Sequence, residues 1–248
     1  MTVPATMAAR SRRGSQTSGR SPEELEELVS HVGAELELAP AEDIIEWAVA
    51  TFGDRFCVTS SMADAVLSHL ASRVHPGVDV VFLDTGYHFA ETIGTRDAVE
   101  ATMPVTLRNI TPELTVAEQD AAYGKDLYLR DPDLCCALRK VKPLAEALSG
   151  YDAWATGLRR AETHNRVIAP VVGWDEKKQK VKVSPLARWS DEDVEKYVAE
   201  NGVLVNPLQY DGYPSIGCWP CTRRVAEGED PRSGRWAGFN KTECGIHA

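Results

Sequence analysis

The sequence predicts an α/β fold built on an open, mostly parallel sheet. Three observations carry that expectation. Short apolar runs alternate with helical stretches, the connections between them are short, and Val78 to Leu83 is apolar enough for a central strand covered on both faces.

The elements follow in chain order. The first twenty residues hold four arginines, several Ser, Thr and Gly residues, and no acid. They lack the apolar stretch of roughly seven residues at the centre of a secretory signal. An Arg-rich, acid-poor start also resembles an organelle transit peptide, but residues 1–20 are read as a disordered tail. Order is expected from Ser21-Pro22-Glu23-Glu24, which has the residues of a capping box. One helix runs from there to about Leu38 and a second from about Ala41 to Ala50. Arg55 to Thr59 is a short buried strand, and Ser60-Ser61-Met62 leads into a helix from about Ala63 to Arg73. After Val78–Leu83 come Asp84-Thr85-Gly86, a helical stretch to about Ala101, and strands at Val105–Leu107 and Asp152–Thr156. Val167–Val172 and Lys180–Val183 flank the polar Asp175-Glu176-Lys177-Lys178 and suggest a hairpin. Ser190 caps a last helix, Asp191 to Glu200, stopped by Asn201-Gly202. From Asn206 onward no periodicity is sustained, and loops of that length are uncommon unless functional or disordered. Trp219 and Trp236 in this part argue against a simple solvated extension. The expected organisation is a tail (1–20), an α/β domain (21–224) and a mobile C-terminal tail (225–248).

Lys+Arg 27 against Asp+Glu 37 gives a formal charge of -10, which argues against a general binder of nucleic acid or anionic membrane. No apolar run approaches the ~18 to 20 residues of a membrane helix. A chain of this kind is expected in the cytoplasm, where its six cysteines stay reduced.

Four of those six fall into two tight pairs, Cys135-Cys136 and Cys218-Trp219-Pro220-Cys221. Chance pairing of core cysteines is improbable. A thioredoxin-like redox pair opens a helix just after a strand, whereas this Cys-x-x-Cys sits in a Gly/Pro-rich loop. Structural zinc usually takes two spaced pairs. Adjacent thiolates project in different directions and fit better around a wider [4Fe-4S] cluster, which takes four. Geometry alone favours iron–sulfur over zinc. Lys140, four residues after Cys136 on a helix beginning near Asp133, shares its face and could offset a tetrathiolate's charge. Arg139 and Lys142 beside it would otherwise be ordinary basic surface. Cys244 stands in Glu243-Cys244-Gly245-Ile246-His247, four residues from the end, where a structural cysteine is seldom left. An exposed thiol there can attack one partner and be reached by another, given a cationic setting. His247 is a candidate neighbour, and Glu243 would oppose the thiolate unless turned away. Cys57, in an apolar strand, is read as core.

Three strand ends look suited to an anionic ligand. Ser60-Ser61-Met62-Ala63-Asp64 occupies a strand-to-helix turn of the kind that binds phosphates, without the glycines and lysine of a Walker loop. Leu83-Asp84-Thr85-Gly86 ends the next strand. Thr156-Gly157-Leu158-Arg159-Arg160 ends another and is followed by Arg166, while Arg232 and Arg235 lie near Cys244.

These residues together resemble the assimilatory adenylyl-sulfate (APS) reductases, the iron–sulfur branch of the sulfonucleotide (APS/PAPS) reductase family, from about residue 40 to the end. The resemblance implies an adenine-nucleotide α-hydrolase-like fold, related to the ATP pyrophosphatases, in which residues 21–224 bind the sulfonucleotide and the C-terminal tail carries the catalytic Cys. It implies a [4Fe-4S] cluster on Cys135, Cys136, Cys218 and Cys221, with Cys244 as nucleophile and Lys140 near cluster and substrate. It also implies anion contacts from Arg166, Arg232 and Arg235. Ser60, Ser61, Asp64, Leu83, Asp84, Thr85, Gly86 and Gly157 would line or adjoin the nucleotide site. Met62 stands where a glycine-rich phosphate loop would allow closer backbone approach. Relatives that reduce the 3′-phosphorylated substrate, PAPS, generally lack the four cysteines, so their presence points to APS. The implied reaction is thioredoxin-dependent reduction of APS to sulfite and AMP through an S-sulfonate on Cys244, on the route from sulfate to cysteine. A monomer and a homo-oligomer are both compatible with the sequence. The competing expectations are a PAPS reductase, an ATP-pyrophosphatase-like transferase, and a zinc-stabilised nucleotide-binding protein in which Cys244 is incidental.

Overall fold

In the computed structural model, which describes residues 19–239, 241 and 243–246, six strands pair into one sheet. They are β1 (Phe56–Thr59), β2 (Val78–Leu83), β3 (Val105–Ile110), β4 (Ala153–Thr156), β5 (Val172–Asp175) and β6 (Lys180–Val183), in the order β3-β2-β1-β4-β6-β5. All neighbours run parallel except β5 and β6. Helices α1 (Pro22–Leu36), α2 (Ala41–Phe52), α3 (Val66–Val74) and α4 (Ala90–Thr102) come early. The short helices α5 (Val116–Tyr123), α6 (Leu127–Arg130), α7 (Pro132–Cys136) and α8 (Lys142–Ala147) follow β3, and α9 (Asp191–Asn201) follows β6.

Alternation along the strands builds two cores, because successive side chains point to opposite faces. Phe56, Val58, Val80, Phe82, Ala153, Ala155, Val181 and Val183 enter the larger core with Ile44, Ile45 and Leu70. Cys57, Val81 and Trp154 point the other way, onto Leu144 and Leu148, and Ile246 of the C-terminal segment packs against them. Full burial of a large apolar side chain contributes roughly 1.5–3 kcal/mol, so both faces are well held. Asp79, the one acid in β2, accepts from Tyr151 Oη and from Arg108 Nε at 3.0 Å.

Local signals set most ends. Ser21 and Glu24 form a reciprocal capping box, as do Ser190 and Asp193, and Gly202 closes α9 in the left-handed region. Three departures have physical causes. The first hairpin arm is Val172–Asp175 rather than Val167–Val172, because Pro170 has no amide to donate and Arg160 Nε takes the Ala169 carbonyl at 2.8 Å. Helix α3 starts at Val66, since Asp64 forms a bridge with Val205 and its carboxylate accepts from the Val66 amide at 3.0 Å. The helix expected near Asp133 is α7, then a wide π turn over Ala137–Val141, then α8.

The C-terminal segment folds back on the domain. Arg223 N–H donates to Gly234 O, Val225 N–H to Gly212 O and Trp236 N–H to Cys221 O, and Trp236 is buried. At the other end Arg20, counted above with the tail, donates to the Thr51 carbonyl at 3.0 Å. Residues 1–18 and His247 lie outside the described residues. No helix among the described residues is long and apolar enough to cross a membrane.

Candidate active site

Chain order reverses at β1, with β2 and β3 on one side and β4 on the other. Open α/β sheets bind ligands outside the carboxyl ends of the strands at such a point. Thr59 pairs with Val81 on one side and Thr156 on the other, so the loops after β1, β2 and β4 open side by side.

In the first loop Ser60 is half-buried and Ser61 exposed. Met62 is fully buried and adopts a φ of +58°. A bulky residue in that region carries strain of about 1–3 kcal/mol that the surroundings must hold. Burial raises the Asp64 pKa against the opposing pull of the Val66 amide and Arg159. In the third loop a Cβ on Gly157 would meet nothing within 4 Å, so this position faces open space.

The β2 turn is tied to the cysteines. Asp84 accepts from the Gly86 amide at 3.1 Å and pairs with Arg96, while His88 Nε2 and the Leu83 carbonyl are 2.8 Å apart. Thr85 Oγ1 lies 3.3 Å from Cys218 Sγ and accepts from the Tyr87 amide. Arg139 is buried beneath this turn. It donates to the carbonyls of Thr85 and Leu114 and to Gln119, and stacks on Tyr87. Gly86 has φ +72°, and a Cβ there would come within 3.1 Å of Arg139.

Cys135, Cys136, Cys218 and Cys221 line one cavity together with Arg139, Lys140, Tyr87 and Tyr128, and all four are free thiols. Burial, then the neighbouring sulfurs, push Cys135 up to about 12. Burial and Cys218 push Cys221 up to about 11, while Lys140 pulls it down. Burial likewise raises Cys136, opposed by Lys140. Thiols held protonated in this way, as at Cys135, Cys136 and Cys221, fit a positively charged group that would stabilise them as thiolates. Among the described residues, no three Cys, His, Asp or Glu side chains are grouped so as to hold a single metal ion. The four cysteines instead line a single shared cavity.

Lys140 and the C-terminal segment complete the site. Burial disfavours the Lys140 ammonium, but the fields of Cys218, Cys244 and Cys136 outweigh it and raise its pKa. Cys244 is half-buried. Arg235 is half-buried too, and its desolvation together with Arg232 lowers its pKa against the fields of Cys244, Cys218 and Cys221. Its guanidinium donates to Ser215 Oγ and the Ile216 carbonyl and lies over Trp236. A Cβ at Gly217 would sit 2.3 Å from it, so a side chain there would have to displace the guanidinium. Glu243 is gripped by Arg166 through Nε at 2.9 Å and Nη2 at 2.8 Å, with Arg232 Nη2 at 3.4 Å. Lys241 pairs with Asp133, and Lys178 Nζ donates to the Ile246 carbonyl at 2.9 Å.

Residues 55–224, well over half of the chain, match the model of the phosphoadenosine phosphosulfate reductase domain. The chain belongs to this family. Curated members named adenosine 5'-phosphosulfate reductase are 69% identical over 228 residues in Streptomyces coelicolor, covering 92% of this chain and 97% of that one. In Mycolicibacterium smegmatis identity is 58% over 224 residues, covering 90% and 95%, and in Mycobacterium tuberculosis 54% over 250 residues, covering 94% and 98%. Among solved structures, a phosphoadenylyl-sulfate (PAPS) reductase from Candida auris in complex with phosphate superposes with a TM-score of 0.70 at 29% identity, covering 81% of this chain and 97% of that one. An FMN adenylyltransferase from Candida glabrata shares the fold alone, with a TM-score of 0.52 at 9% identity over 84% and 79% of the chains. The fold is adenine-nucleotide α-hydrolase-like.

In this chain the four paired cysteines, Lys140, Arg235 and Cys244 are drawn together, although they are spread over more than a hundred residues of sequence. The basic loop after β4 is divided instead. Arg166 faces the C-terminal segment, while Arg159 pairs with Asp191 and Arg160 with Glu37. Two members of the site escaped sequence reasoning. Arg139 passed for surface, although it shares a helical face with Cys136, three residues before it. In the sequence Glu243 reads only as a threat to the thiolate, and its ion pairs with Arg166 and Arg232 have no local signal. His247 stays outside the described residues.

Proposed function

We propose that the protein reduces APS to sulfite and AMP, taking electrons from a thioredoxin-type dithiol, as a cytoplasmic step from sulfate toward cysteine. The observation that carries this is the C-terminal segment docked so that Cys244 lies in the fields of Lys140 and Arg235 beside the four-cysteine cavity. The names of the closely similar relatives support APS over PAPS. Cys135, Cys136, Cys218 and Cys221 would hold a [4Fe-4S] cluster. Such a cluster supplies an electrostatic and organising centre, since the dithiol supplies both electrons.

The Cys244 thiolate attacks the sulfur of the sulfate group. An S–S bond forms, the S–O bond to the phosphate breaks, and AMP departs with that electron pair. A thiolate of the dithiol then attacks Cys244 Sγ; sulfite leaves, and the second thiol resolves the mixed disulfide and restores Cys244. An anionic nucleophile approaching an anionic ester is repelled, and Lys140 and Arg235 offset that repulsion and stabilise the departing phosphate. The loops after β1, β2 and β4 hold the nucleotide. Arg166 and Arg232 exchange Glu243 for substrate oxygens, so ligand arrival loosens the segment that carries Cys244. That release lets one thiol serve an enclosed substrate and then a bulky protein reductant.

The test is anaerobic sulfite release from APS and from PAPS with thioredoxin, alongside iron and sulfide analysis. APS should be turned over in preference, with iron and sulfide in equal amounts. Preference for PAPS would sink the substrate assignment, and zinc without sulfide would sink the cluster.

A further inference from the structure

Asn206 is fully buried, lies outside the sheet, and opens the 3-10 turn Pro207–Asp211, whose Leu208 amide its Oδ1 accepts at 3.1 Å. Its Nδ2 donates to the Met62 carbonyl at 3.0 Å and to Thr92 Oγ1 at 3.1 Å. Its own amide donates to the Ala63 carbonyl at 3.0 Å, and Gln209 Nε2 reaches the same oxygen at 2.8 Å. The loop after β1 is thus bonded along one side to a segment more than 140 residues away. On its other side the Met62 amide donates to Ser60 Oγ at 3.2 Å. Among the described residues, the amides of Ser61 and Ala63 have no hydrogen-bond partner.

A left-handed residue within a run of backbone amides is the shape from which anion-binding concavities are made. Glycine adopts it freely, but Met62 does not. We propose that Asn206 is a positioning residue for the nucleotide phosphate. By clamping the Met62 carbonyl it holds the loop in its left-handed turn and keeps the amides of Ser61 and Ala63 presented to the ligand. The inference rests on the nucleotide site proposed above and deepens it. The strained turn replaces the glycines of a Walker loop, and a buried amide from the C-terminal part of the domain maintains it.

The experiment measures AMP binding by calorimetry on the full chain purified without oxygen. Asn206→Ala should weaken AMP about tenfold or more. Adding Met62→Gly to that variant should restore affinity to within about threefold of wild type, because glycine holds the turn without the clamp. A merely structural Asn206 predicts the reverse, since the double variant also loses the buried Met62 side chain. Thr92→Val removes only a partner of Asn206 and serves if Asn206→Ala does not fold; it should give a smaller loss, again reversed by Met62→Gly. Unchanged AMP binding in the single variants, or a double variant weaker than either, overturns the inference. A wild-type chain that binds no AMP overturns the nucleotide site itself and this inference with it.

Discussion

The parallel centre of the sheet, β3-β2-β1-β4, is held by apolar burial. Val58, Val80, Ala153 and Ala155 on one face and Cys57, Val81 and Trp154 on the other have essentially no exposure. The end of the chain that carries Cys244 is held in another way. Its described residues, Lys241 and 243–246, dock largely through discrete charged contacts: Lys241 to Asp133, Glu243 to Arg166 and Arg232, and the Ile246 carbonyl to Lys178. Burial is non-directional and cooperative, which suits a platform for strand-end loops. A few partly screened ion pairs can be exchanged for a ligand's charges without unfolding anything. The proposed nucleophile sits on the exchangeable region, and the loops proposed to hold the nucleotide sit on the fixed one.

The comparison can be broken most sharply at Cys244. Cys244→Ser should lower sulfite release by a factor on the order of 10⁴, with AMP binding unchanged by calorimetry and no labelled S-sulfonate after APS. A covalent adduct in that variant would remove Cys244 as the nucleophile. Next comes a stability contrast. Leu70→Ala, in the large core, should cost about 2–5 kcal/mol in urea unfolding. Lys241→Met, in the docked segment, should cost less than about 1 kcal/mol, yet speed alkylation of Cys244; equal costs would erase the distinction between the regions. Glu243→Gln should tighten AMP about fivefold to tenfold by removing a carboxylate that competes for Arg166 and Arg232, and slow S-sulfonate formation in a single turnover. Weaker AMP binding would show that Glu243 does not compete with the ligand.

The smallest effect is expected at Lys182, half-buried beside Trp154. Burial pulls its pKa down to about 8, with Asp175 opposing and Lys178 and Arg166 assisting. The folded value lies below the unfolded one near 10.4. Between about pH 8 and 10.4 the folded chain therefore binds fewer protons, and this group's contribution to stability rises with pH; below about 8 its full penalty is present. Lys182→Met should stabilise the protein at pH 7 in urea, with the gain shrinking as pH rises to 10. A gain that grows with pH would show that the ammonium is better solvated than its burial implies.

Much of the platform was legible in the sequence. Val78–Leu83 is a strand with the expected ends because its apolar residues reach both cores, and the Ser21 and Ser190 capping boxes mark real helix starts. Contacts between distant segments were not legible. Nothing near Asp64 announces its bridge to Val205, which delays α3. Nothing near Arg160 announces Glu37, which removes that arginine from the anion-binding set. Arg139 reads as surface although it is buried, because periodicity reports which residues share a face and not whether another loop will cover it.

By itself the sequence determined the alternation of strands and helices, the two cysteine pairs and the terminal thiol, because residue type and short-range spacing carry those signals. The tertiary structure alone decided that the four thiols share one cavity, that Glu243 occupies two of the three arginines expected to hold the anion, and that Asn206 braces the strained loop at Met62. Charge pairing and hydrogen bonding across a hundred residues depend on where the folded backbone brings each group, and no local pattern encodes that distance.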